Sequence, residues 1–124
     1  MDITEENTMK IAVASDDSKN ISDHFGRARG FVIFSIDDDK KIITQEYKKN
    51  IGRHQDACGT CNHEKMIDNL SGCALVISHG MGRRIFDDLM KHGIKPVVTN
   101  EKAVDKALEG FLRGDLSNHT EKLH

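Results

Sequence analysis

The sequence predicts an α/β domain with a mixed five-stranded sheet and three helices, and three observations carry that prediction. Short apolar runs recur at 9–15, 73–78 and 95–99, each of strand length and apolar enough to be buried on both faces. Two further β-rich runs, 31–36 and 41–47, flank the turn Asp37-Asp38-Asp39-Lys40, which is the pattern of a β-hairpin. From residue 66 onward, helical spacing of apolar residues alternates with strand-like runs, which is the mark of parallel strands joined through helices.

Each element has its own local reason. Residues 1–8 are polar and lack a period, so they are expected to form a disordered leader. The strand at 9–15 opens into a long loop, 16–30, that contains His24-Phe25-Gly26-Arg27. After the hairpin, residues 48–60 are polar and glycine-containing and are expected to be loop. Met66, Ile67 and Leu70 recur at helical spacing, with Thr60 or Asn62 as N-cap and Gly72 beyond the end. The strand at 73–78 closes in His79-Gly80-Met81-Gly82, and Ile85, Phe86, Leu89 and Met90 then share one helical face before Gly93. A last strand at 95–99 leads to a helix marked by Ala103, Val104, Ala107, Leu108, Phe111 and Leu112, which stops near Gly114. The folded domain is predicted to span 9–113, followed by a flexible polar tail at 114–124.

Connectivity then constrains direction. Helical crossovers make the last strands parallel and right-handed, and the hairpin sets strand 2 against strand 3. With strand 1 pairing strand 2 in a meander, strands 1, 3, 4 and 5 all point one way. The segments that follow those four strands, 15–30, 48–60, 79–82 and 99–100, gather on one edge of the sheet, where open α/β folds bind ligands.

Composition narrows the function. The chain has 124 residues, a formal net charge of −2 and 37% hydrophobic residues, enough for one domain. No apolar run approaches the ~20 residues that span a bilayer, and the acidic start lacks the features of a signal peptide. A near-neutral charge gives no basic stripe for nucleic acid. Three cysteines are an odd number for a stapled secreted fold, so a cytoplasmic protein with reduced thiols is expected.

Cys58-Gly59-Thr60-Cys61 is the sharpest chemical signal. Two thiols at this spacing can bind one metal ion, share an iron–sulfur unit or close a redox disulfide. His63 lies two residues beyond and His54 four before, so a zinc site is also open. A thioredoxin-like pair follows directly on a buried strand, whereas here residues 48–60 intervene between the strand ending at Tyr47 and Cys61. Cys73 heads an apolar strand and is expected to be a small buried hydrophobe. His79-Gly80-Met81-Gly82 offers close backbone approach and a helix N-terminus to an anion, with Arg83 and Arg84 adding positive charge. Met81 is expected as a hydrophobic plug more than as a sulfur ligand. Phe25 tucked inward, with Gly26 turning the chain, would hold His24 at the ligand edge. No Ser-His-Asp order, paired carboxylates or His-Glu-x-x-His appear, so hydrolysis has no visible machinery.

Taken in order, Ile21-Ser22-Asp23-His24-Phe25-Gly26-Arg27-Ala28, then Cys58 and Cys61, then Gly80-Met81-Gly82 and Gly93-Ile94 resemble the dinitrogenase iron–molybdenum cofactor biosynthesis family. That family contains NifX-like proteins and the C-terminal region of NifB. The resemblance runs from about Met9 to Leu112. It implies a ribonuclease H-like three-layer α/β/α fold in which only strand 2 is antiparallel. It implies a carrier or scaffold for an iron–sulfur or iron–molybdenum-type cluster, not an enzyme, working between metallocluster donor and acceptor proteins. His24, Phe25, Gly26, Gly80, Met81 and Gly82 would contact the cluster, and Cys58, Cys61, His24 and His63 would be the metal ligands. The alternative reading of the same thiols is a thiol–disulfide redox module, or a zinc-stabilised interaction module using Cys58, Cys61, His63 and His54.

Overall fold

In a computed structural model, residues 9–23, 25, 28–50, 67–70, 72–114, 116 and 118 are described. Five strands form one sheet: β1 Met9–Ser15, β2 Gly30–Ile36, β3 Ile42–Lys49, β4 Cys73–Ser78 and β5 Lys95–Val98. Their order across the sheet is β3-β2-β1-β4-β5. Strand β2 is antiparallel to both β1 and β3, while β1–β4 and β4–β5 are parallel. The predicted meander and parallel half are therefore both present. Two helices follow β4 and β5, α1 Arg83–Lys91 and α2 Val104–Arg113, and residues 67–69 are helical where the first helix was expected.

Period-2 alternation divides the sheet residues between two cores. Ala12, Ala14, Phe31, Ile33 and Val76 face a layer that contains Ile67, Leu70 and the α1 residues Ile85 and Leu89. Ile11, Val13, Val32, Phe34, Leu75 and Ile77 face Val104, Ala107 and Leu108 of α2. This is a three-layer α/β/α sandwich. The register between β1 and β4 shifts at Lys10/Ile11. That shift lets Cys73 join Val76 in the first core although their parities differ.

Element ends moved by a residue or two from the sequence expectation. Lys48 and Lys49, expected in the loop, extend β3, and Gly30 opens β2. The hairpin turn is held by the Asp37 carboxylate, which accepts N–H bonds from Asp39 and Lys41 at 2.9 Å each. The glycine expected at the end of α1 is met in detail. Gly93 has φ +78, its N–H donates to the Met90 carbonyl at 3.1 Å, and Ile94 donates to Leu89 at 2.9 Å, the paired bonds of a Schellman ending.

The stretch expected as a polar tail is anchored at two described points. Leu116 packs on the α2 core. The Asn118 side-chain oxygen accepts the Val98 N–H at 2.9 Å, which covers part of the β5 edge.

Candidate functional site

The edge at which β1, β3, β4 and β5 end is knitted together by loop-to-loop hydrogen bonds. At the end of β1, Ser15 is fully buried. Its hydroxyl donates to the Asn20 carbonyl at 2.6 Å and accepts the Ser18 N–H at 2.8 Å. The Asp17 carboxylate accepts N–H bonds from Asn20 at 2.8 Å and Lys19 at 2.9 Å. Those bonds, Asn20 first, favour the charged form and lower the Asp17 pKa to about 2. The turn so built lets Ser22 donate to the Ala14 carbonyl at 2.8 Å, which directs the next residues back along the edge.

From there the β1 loop is fastened to its neighbours. Ile21 donates to Lys102 at 2.8 Å and Val104 donates to Lys19 at 2.9 Å, which joins it to the segment after β5. Phe25 donates its N–H to the Gly80 carbonyl at 2.9 Å, which joins it to the turn after β4. The Phe25 ring is fully buried, with its centroid 5.2 Å from that of Phe31. Burying that ring is what turns the loop inward. The end of β3 is tied in through Asn50, a buried polar residue whose side chain donates to the Ala28 carbonyl at 3.0 Å.

The turn after β4 has two faces. Gly80 is buried, and Ser78 donates its hydroxyl to the Gly80 carbonyl at 3.1 Å. The Met81 side chain is 1% exposed and sits in the α1 core. It is the hydrophobic plug expected from the sequence, so the turn presents backbone and not sulfur to the edge. Gly82 is the N-cap of α1 and supplies no side-chain cap, and no acidic residue lies in the first turn. Among the described residues, a Cβ added at Gly82 would meet nothing within 4 Å. Arg83 and Arg84 flank it, both exposed.

His24, Gly26, Cys58, Cys61 and His63, with His54, lie outside the described residues. Phe25 and Gly80–Gly82 are brought together as the sequence implied, but with both large side chains turned into the core. Cys73 is buried, and desolvation raises its thiol pKa, so it is a packing residue. Among the described residues no cluster of three or more His, Cys, Asp or Glu side chains is placed to hold a metal, and no helix is long and apolar enough to cross a membrane.

His79 is the residue that sequence reasoning passed over. Its side chain is 15% exposed, and Nδ1 lies 3.2 Å from the Asp23 carboxylate. Nε2 contacts the Glu101 carbonyl oxygen, and the His79 N–H donates to the Ser22 carbonyl at 3.3 Å. The available signal was positional: it is the first residue after β4 on the predicted ligand edge.

Comparison with known proteins places this geometry in context. The family model described as "Dinitrogenase iron-molybdenum cofactor" matches residues 7–114. Protein NifX of Azotobacter vinelandii is 26% identical over 95 residues, covering 77% of this chain and 59% of NifX, so the chain spans well under two thirds of that relative. The uncharacterized protein MJ0580 of Methanocaldococcus jannaschii is 28% identical over 109 residues, covering 87% of this chain and 89% of that protein. The apo form of the orange protein from Desulfovibrio gigas superposes with a TM-score of 0.72 at 24% identity, covering 90% of this chain and 92% of that one. That last likeness concerns the fold.

Proposed function

The chain belongs to the dinitrogenase iron–molybdenum cofactor family, and from that premise we propose that it binds and hands on an iron–sulfur or iron–molybdenum-type metallocluster without transforming it. The observation that carries this reading is the convergence of the segments after β1, β4 and β5 on one edge, where Phe25 is bonded to Gly80 beside the start of α1. An anionic cluster suits that place. Among the described residues the first turn of α1 has no side-chain cap and nothing lies within 4 Å of a Cβ at Gly82, and Arg83 and Arg84 supply positive charge.

In this reading Cys58 and Cys61 supply soft thiolate ligands, and His24 and His63 supply imidazole. The backbone at Gly80–Gly82 cradles the anion, with Gly26 a further contact, while Phe25 and Met81 act from the core as anchors of that backbone. Ligands in segments that the sequence predicts as loop suit a carrier, because delivery requires that the cluster be let go. The partners would be cluster donor and acceptor proteins, and a reducing cytoplasm would keep the thiols available.

Anaerobic incubation with ferrous iron and sulfide is expected to give thiolate-to-iron absorption that a Cys58→Ser/Cys61→Ser double variant loses. His24→Ala is expected to weaken iron retention with the fold intact. Equal absorption and iron content in the double variant would remove both thiols from the ligand set.

A further inference from the structure

We infer that Asn118 is a clamp on the ligand edge: by holding β5 to the end of α2, it keeps the intervening segment, 99–103, in place against the β1 loop. The reason begins in β5, which stands last in the order of the sheet. Thr99 donates its N–H to the Ser78 carbonyl at 2.9 Å, so the backbone of Val97 and Thr99 faces β4 and that of Pro96 and Val98 faces outward. Proline carries no N–H, which leaves the Val98 N–H as the one outward donor that β5 possesses. The Asn118 side-chain oxygen accepts that N–H at 2.9 Å, and its Nδ2 approaches the Pro96 carbonyl at 3.5 Å. A neighbouring parallel strand would bond the same two groups, one residue to either side of Val97. One side-chain amide therefore does for β5 what a further strand would.

A second anchor ties the same end of the chain to α2. Gly114 closes the helix in the left-handed region, at φ +79, and the Leu116 N–H donates back to the Gly110 carbonyl at 3.2 Å. Leu116 packs against the core that contains Val97, Val104 and Leu108. Strand β5, residues 99–103, α2 and these two anchors thus close into a ring of contacts. From that ring the Lys102 carbonyl accepts the Ile21 N–H at 2.8 Å, and Val104 donates to the Lys19 carbonyl at 2.9 Å. Ala103 forms an isolated bridge with Asn20 between them. Strand β5 is only four residues long, and short elements at the margin of a sheet open at low cost. Freeing its outward side lowers that cost further, and the segment that follows opens with it. A partner that drew Asn118 off β5 would loosen the ligand edge without touching it.

Residue-resolved amide exchange on the full chain tests the clamp. In Asn118→Ala, exchange at Val98, Ile21 and Val104 is expected to rise together by about fivefold, the worth of one hydrogen bond. The Asn50 amide, bonded to the Arg29 carbonyl at 3.0 Å at the β3 end of the sheet, serves as reference and is expected to keep the parent rate. Asn118→Asp retains an oxygen for the Val98 N–H and is expected to leave all three amides at the parent rate. Acceleration at Val98 alone would make Asn118 a local cap and overturn the clamp. Equal acceleration at Asn50 would overturn it as well, because it would mark a loss of global stability and not the release of one edge. Three amides as fast in Asn118→Asp as in Asn118→Ala would show that the bond to Val98 is not what holds the segment.

Discussion

Asp17 shows how a fully exposed side chain can still direct the chain. Its carboxylate collects N–H bonds from Lys19 and Asn20, and these keep its pKa at about 2 against an ordinary 3.8. A depressed carboxylate contributes stability above its unfolded pKa and loses it as pH falls through the folded one. Asp17→Asn is neutral throughout, so the parent's advantage over it is expected to be complete above about pH 3.8 and to vanish on approach to about pH 2. Urea melts of the two proteins at stepped pH measure this, and a difference that stays constant across that window would show that Asp17 is not the charged acceptor of the turn. The Asp17 pair of bonds is local, made to the N–H groups two and three residues on. Phe25 was legible, since a lone aromatic in a polar loop has few places to go but the core. His79 was missed because its partners, Asp23 and the Glu101 carbonyl, come from segments remote in sequence.

Among the elements, the β2–β3 ribbon packs a ring directly over a glycine backbone. A Cβ built at Gly30 would lie 2.5 Å from Tyr47 Cζ and 2.6 Å from the Lys48 carbonyl oxygen, so the Tyr47 ring lies over bare backbone. Its hydroxyl continues on to donate to the Ser15 carbonyl at 3.0 Å, linking the hairpin to the end of β1. Gly30→Ala must displace the ring and strain a backbone carbonyl that cannot swing away, and is expected to cost about 1–3 kcal/mol. A lower urea midpoint at constant slope would register that loss, and an unchanged midpoint would mean that the hairpin yields more easily than this contact implies. The same ribbon shows why element ends were the least legible part of the sequence. Lys48 and Lys49 continue β3 because β2 offers them pairing partners in Phe31 and Gly30, a tertiary cause that a run of lysines does not advertise. The Schellman ending at Gly93, by contrast, is a local device and was read from local residues.

For the molecule as a whole, strand direction was legible because it follows from connectivity alone: a hairpin reverses the chain and a helical crossover does not. The chemistry was only half legible, since spacing identifies a pair of thiols but does not say which backbone faces them. The one-sided gathering of the segments after β1, β4 and β5 bears on traffic as well as on binding. On the carrier reading proposed above, a donor and an acceptor that both use this edge must take turns at it. Transfer is then expected to follow double-displacement kinetics: initial-rate plots at several acceptor concentrations should be parallel, and excess empty donor should inhibit competitively against the acceptor. Intersecting lines would mean instead that all three proteins meet in one complex, which would overturn a shared edge.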